Sequence, residues 1–123
     1  MADEVTFTFS LNATKGAVNL ARHFAVQLDI NAAAPAAAPL SQIIGTTEEA
    51  IVLTDVATNG IMWAYNPDAA NFVEIGDYQG ATFYPVVRIN AGECWPFRLS
   101  QAVTLYAKAD TAPVTLEIVV IDD

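Results

Sequence analysis

Val5, Phe7, Phe9 and Leu11 alternate with Thr6, Thr8 and Ser10. An apolar residue at every second position, with Thr and Phe favouring extended backbone, predicts a half-buried strand here. The turn cluster Asn12-Ala13-Thr14-Lys15-Gly16 follows. The longest alternation comes next. Val18, Leu20, Phe24, Val26, Leu28 and Ile30 hold the even positions, and only Arg22 breaks the series. The odd positions carry Ala17, Asn19, Ala21, His23, Ala25, Gln27 and Asp29. A helix would space its apolar residues three and four apart, so 18–30 is predicted as a second, long strand despite its alanines.

Residues 31–39 read Asn-Ala-Ala-Ala-Pro-Ala-Ala-Ala-Pro. Two prolines at this spacing interrupt helix and sheet alike. The segment is expected to be a semi-extended linker or arm. It is not expected to be a domain boundary, because the piece before it is too short to fold alone. Beyond it, short apolar runs and turn signals recur. Strands are predicted over 40–44, 50–54, 61–65, 72–75, 81–89, 94–99, 104–108 and 114–121. Asn59-Gly60 is a hairpin signal. Pro85 inside its run predicts an edge strand or a bulge, and Pro96 is a second strand proline. The pattern is that of an all-β antiparallel sandwich or barrel with about eight strands.

The length of 123 residues fits one domain over 1–123 with the Ala/Pro segment inside it. Composition then narrows the functions. Charged residues are 15% of the chain, against about 25% in an average soluble protein. Hydrophobic residues are 54%, much of it alanine. Fourteen acidic residues face five basic ones, for a net charge of −9. No basic surface is available to neutralise phosphates, so nucleic acid is not an expected partner. The start, Met1-Ala2-Asp3-Glu4, lacks the basic and apolar regions of a secretory signal. No apolar run approaches the ~20 residues of a membrane helix, so no membrane partner is expected either.

The chemistry-bearing residues do not form a set. His23 is the sole histidine and falls on the polar face of its strand. Cys94 is the sole cysteine. A nucleophile dyad between them lacks any surrounding signature, and Cys94 is expected to be a buried structural residue. One Cys and one His exclude an ordinary zinc site. Asp55, Asp68, Asp77 and Asp110 lie in or near turns, but no segment has the spacing of a calcium loop. Glu48-Glu49 and Asp122-Asp123 read as solvated pairs. No catalytic, cofactor-binding or metal residue is expected, and the chain is not expected to be an enzyme. Trp63 and Tyr65 share one strand face by period 2. With Trp95 they are candidates for a glycan-binding platform.

Three stretches carry a family texture. One is Asn66-Pro67-Asp68-Ala69-Ala70-Asn71-Phe72-Val73-Glu74-Ile75-Gly76. The second is Tyr84-Pro85-Val86-Val87-Arg88-Ile89-Asn90-Ala91-Gly92-Glu93, running into Pro96-Phe97-Arg98-Leu99. The third is Tyr106-Ala107-Lys108-Ala109-Asp110-Thr111-Ala112-Pro113-Val114 with Leu116-Glu117. Together, over roughly 43–123, they resemble small β-sandwich virion proteins of tailed bacteriophages. The resemblance implies a jelly-roll-like sandwich and a structural role, as capsid decoration (cement), head-fibre base or tail component. The expected partners are then the major capsid protein and copies of the same chain, as a homotrimer on the virion surface after synthesis in the host cytoplasm. Contacts are expected from the N-terminal segment, with Phe7 and Phe9, and from Pro35 and Pro39 of the linker. The alternative is a tail fibre or spike module that binds a host receptor or glycan through Trp63, Tyr65 and Trp95.

Overall fold

The computed structural model describes residues 5–28, 37–53, 59–100 and 104–122. Among these there is no helix, and the ten strands are β1 (Val5–Lys15), β2 (Val18–Leu28), β3 (Ala37–Ile44), β4 (Glu49–Ala50), β5 (Asn59–Tyr65), β6 (Val73–Gln79), β7 (Thr82–Ile89), β8 (Cys94–Arg98), β9 (Tyr106–Ala109) and β10 (Val114–Asp122). Where the sequence reads as one domain, the chain divides into two compact units, 1–33 and 34–123. The reason lies in the pairing: β1 and β2 form a two-stranded sheet of their own, and the other eight strands form two four-stranded sheets.

The first unit is a long antiparallel ribbon in continuous register from Val5↔Leu28 to Lys15↔Val18. Strand β1 therefore runs through the predicted turn cluster, and only Gly16 and Ala17 are left to reverse the chain. Gly16 has φ +57°. A glycine with positive φ at the first central position of a two-residue turn matches the right-handed twist of a hairpin.

The second unit is an antiparallel sandwich with sheet orders β3-β10-β5-β8 and β4-β9-β6-β7. From β3 to β10 the chain changes sheet at every connection except the β6–β7 hairpin. That wrapping is the eight-stranded jelly roll. Strand β10 shows how the core forms: Val114, Leu116, Ile118 and Val120 are buried in strict alternation. They meet Val73, Ile75, Ile89, Ala107 and Ala109 of the facing sheet in one cluster. Prolines occupy only strands at a sheet edge, Pro39 in β3, Pro85 in β7 and Pro96 in β8, where a missing N–H leaves no inner ladder broken.

Three local expectations shift. The predicted linker loses its end, because 37–39 belong to β3 and Pro39 pairs with Val119. Of the strand predicted over 50–54, Ala50 lies in β4 and 51–53 lie outside any strand, although Ile51 still donates its N–H to the Leu105 carbonyl at 2.8 Å; Thr54 lies outside the described residues. Asn59-Gly60 opens β5 rather than a turn, and Gly60 accepts from the Leu99 N–H at 2.8 Å. Pro85 does mark a bulge: the β6–β7 register shifts between Ile75 and Gly76. There the β7 backbone comes so close that a Cβ on Gly76 would meet the Tyr84 carbonyl and lie 2.7 Å from Pro85 Cα. Only glycine fits that approach.

Candidate assembly interface

Residues paired across an antiparallel ribbon project to the same side, and neighbours along a strand to opposite sides. The register therefore sorts the ribbon into two faces. One carries Val5, Phe7, Phe9, Leu11 and Ala13 from β1 with Val18, Leu20, Phe24, Val26 and Leu28 from β2. Arg22 and Lys15 are its only charged members. The other carries Thr6, Thr8, Ser10, Asn12 and Thr14 opposite Gln27, Ala25, His23, Ala21 and Asn19. The apolar face is open to solvent: Leu11 is 54% exposed, Phe24 57% and Phe9 40%. Phe7 and Phe9 stack along β1 with ring centroids 6.0 Å apart. Leu11, Leu20, Phe24 and Val26 join this surface without having been singled out by the sequence. The two-residue Gly16-Ala17 turn was the signal, since it fixes which rows of the two alternations coincide.

Chemistry elsewhere is committed to holding loops. Among the described residues, Asn66 is the buried polar one. Its Nδ2 donates to the carbonyls of Asn71 at 2.8 Å and Ile89 at 3.1 Å, and its Oδ1 accepts from the Asp68 N–H at 3.0 Å. Asp68 Oδ1 accepts from the Ala70 and Asn71 N–H groups at 2.8 and 2.7 Å. Those bonds, from Asn71 first and Ala70 next, hold its carboxyl below the ordinary value of 3.8. Glu93 is lowered in the same way by the Asn90 N–H, with the Asn90 amide and the Trp95 indole helping. Asp77 accepts from the Tyr78 N–H and from Gln79 Nε2. Glu49 accepts from the Gly45 N–H at 2.6 Å, while Glu48 lies 3.9 Å from Lys108. Among the described residues no three His, Cys, Asp or Glu side chains group to hold a metal. Asp55 lies outside the described residues. A cleft of about 320 Å³ beside the β7 bulge is lined mostly by Ile75, Val86, Val87, Phe97, Leu99 and Leu105, with Asp77, Arg98 and Ser100 also on its wall.

The remaining candidates separate. Trp63 and Tyr65 stack at 6.1 Å and 27° on the outer face of their sheet, half-buried. Trp95 pairs with core-facing Ala64, so it projects from the opposite side. It is 50% exposed, with Nε1 donating to Glu93 at 3.3 Å. The three aromatics thus do not make one platform. Cys94, expected to be buried, is exposed. It stands on edge strand β8 opposite Tyr65, on the outer face. His23 sits on the polar side of the ribbon opposite Ser10, also exposed. Pro35 lies outside the described residues, and Pro39 is part of the β3–β10 ladder. Among the described residues no helix is long and apolar enough to cross a membrane.

No protein-family model matches the chain, and no curated protein matches it. Among solved structures it is similar to a chain of the Bacillus endospore appendages, which form a novel family of disulfide-linked pili. The identity is 15% and the TM-score 0.52, over 72% of this chain and 84% of that one. At that identity the likeness is one of fold, an all-β architecture in common.

Proposed function

We propose that this protein is a structural assembly subunit, specifically a capsid decoration protein that binds an assembled bacteriophage head and stabilises it. The observation that carries the reading is the ribbon's apolar face, on which Phe9, Leu11, Val18, Leu20, Phe24 and Val26 are exposed. A contiguous apolar surface of this size is a liability in a free monomer and a driving force once covered by protein. Low charge supports the same reading, since surfaces meant for burial carry few ions. The jelly roll is a fold used by capsid proteins, and the strand and turn texture of 43–123 resembles that of small virion proteins of tailed bacteriophages. The test adds purified protein to undecorated shells. Stoichiometric binding with a higher shell melting temperature is expected. Shells that sediment without the protein, with unchanged melting, overturn the reading.

The likeness to the Bacillus pilus chain favours a second reading, a subunit of a surface appendage. Joining subunits in a row by disulfides takes at least two linking thiols in each, and this sequence has Cys94 alone. A disulfide here joins two copies and then stops, so a filament would be held by non-covalent contacts. Electron microscopy of the purified protein separates the readings. Spontaneous filaments favour the appendage, and small oligomers that await a shell favour decoration.

A further inference from the structure

We propose that the partner of the ribbon's apolar face is the same face of a second copy, packed antiparallel about a two-fold axis. The pairing rests on the reading of an assembly subunit above; it assigns the open face to contact between copies and leaves shell binding to the remaining surface of the dimer. The face is about 37 Å long at the usual rise per residue. It offers roughly 600 Å² per copy, so two faces together remove on the order of 1,200 Å² from water, the lower bound of a specific interface.

Charge selects the orientation. Residues 5–28 contain no acidic residue, and Lys15 and Arg22 both lie towards the turn end of the apolar face. Parallel packing would bring the two Lys15 ammoniums together at one end of a low-dielectric contact, which is repulsive. A two-fold axis across the strands instead lays β1 over the partner's β1, and β2 over the partner's β2, with direction reversed. Phe7 then covers the partner's Ala13, and Phe9 covers the partner's Leu11. The Phe7–Ala13 contact sets a large side chain on a small one, which close packing favours. Arg22 meets the partner's Phe24, placing a guanidinium over a ring twice in the dimer. Lys15 falls over the partner's Val5, so the lysines of the two copies lie at opposite ends of the contact. The isologous pairing thus keeps the two ammoniums apart and sets each guanidinium over a ring.

Sedimentation equilibrium of the full chain, without shells, tests this. A monomer–dimer equilibrium is expected. Arg22→Glu should raise its dissociation constant roughly tenfold, from two lost cation–ring contacts. Phe24→Asp should leave only monomer. Both tryptophans lie in the sandwich and report that unit alone, so amide hydrogen exchange over 5–28, with the β1–β2 ladder still protected, shows that the ribbon of each variant pairs. In a Cys94→Ser background, a mixture of Phe7→Cys and Ala13→Cys chains should be joined by a short bis-maleimide, and neither variant alone. A monomer at every concentration, a trimer, an Arg22→Glu dimer of undiminished affinity, or cross-linking of Phe7→Cys alone overturns the pairing. A dimer that fails to bind shells leaves the pairing intact and removes the decoration reading. A monomer that binds them does the reverse.

Discussion

Strands β1 and β10 have the same grammar and opposite fates. Each carries an apolar residue at every second position, from Val5 to Ala13 in β1 and from Val114 to Val120 in β10. In β10 the alternate side chains lie at 0–1% exposure; in β1 the burial pattern holds no buried position. The difference is the layer opposite. Strand β10 sits inside a four-stranded sheet that faces a second sheet, whereas β1 has β2 beside it and no other strand in its sheet. Alternation specifies that a strand has an apolar face. It does not specify which body covers that face, and a two-stranded ribbon supplies no second layer of its own.

Leucine tests this most directly. Leu116 is fully buried in β10, and Leu11 is 54% exposed in β1. Leu116→Ala removes core contacts and leaves a cavity, at a cost of about 3 kcal/mol. In a unit of this size the sandwich should melt on the order of 15 °C lower. Leu11→Ala should shift that melting by less than about 0.5 kcal/mol, while weakening any association of the ribbon. Thermal unfolding followed by tryptophan fluorescence reads both. Equal losses would mean that the ribbon shares the sandwich's cooperative core, and the contrast would collapse.

Asparagine sharpens the same contrast on the polar side. Asn12 donates to Ser10 Oγ at 3.2 Å in the open, where water can replace the bond. Asn66 is buried and makes three side-chain hydrogen bonds that close the 66–71 loop onto Ile89. Asn66→Ala strands the Ile89 and Asn71 carbonyls and the Asp68 N–H, for a loss of about 2 kcal/mol. Asn12→Ala should be neutral within about 0.5 kcal/mol. Denaturant midpoints at constant m-value decide it.

The strands were legible because period 2 is a local signal, and so was the bulge that Pro85 marks, whereas the turn signal Asn59-Gly60 falls inside β5. The sheet orders were not. Pairing β3 with β10 joins residues near 40 to residues near 118, and no local pattern names that partner. The same gap hides the separation of the ribbon, since β1 and β2 look like any other sandwich strands. Side-chain fate on the edge strand β8 was obscured for a related reason. Cys94 and Trp95 project from opposite faces, yet both are exposed, because an edge strand covers little on either side. At the candidate interface, Phe7 and Phe9 could be picked from their strand alone. Phe24 and Arg22 needed the register, which hung on reading Gly16-Ala17, rather than Asn12 to Gly16, as the turn.

The two hairpin turns make the finest comparison. In the ribbon, positive φ falls on Gly16, and Ala17 stays outside the left-handed region. In the β6–β7 hairpin both central residues are left-handed, Gly80 at φ +56° and Ala81 at φ +63°. Two positive φ values define the turn type that prefers glycine or asparagine at both places. An alanine Cβ held there costs roughly 1–2 kcal/mol. Ala81→Gly removes that strain and returns part of it as extra unfolded-chain freedom, about 0.4–1 kcal/mol. The expected net gain is about 0.5–1 kcal/mol, seen as a higher denaturant midpoint for the sandwich with m unchanged. Ala17→Gly relieves no such strain and adds the same unfolded-state freedom, so it should bring no gain. A sandwich left unchanged or weakened by Ala81→Gly would show that the β7 bulge, rather than the turn, sets the geometry of this hairpin.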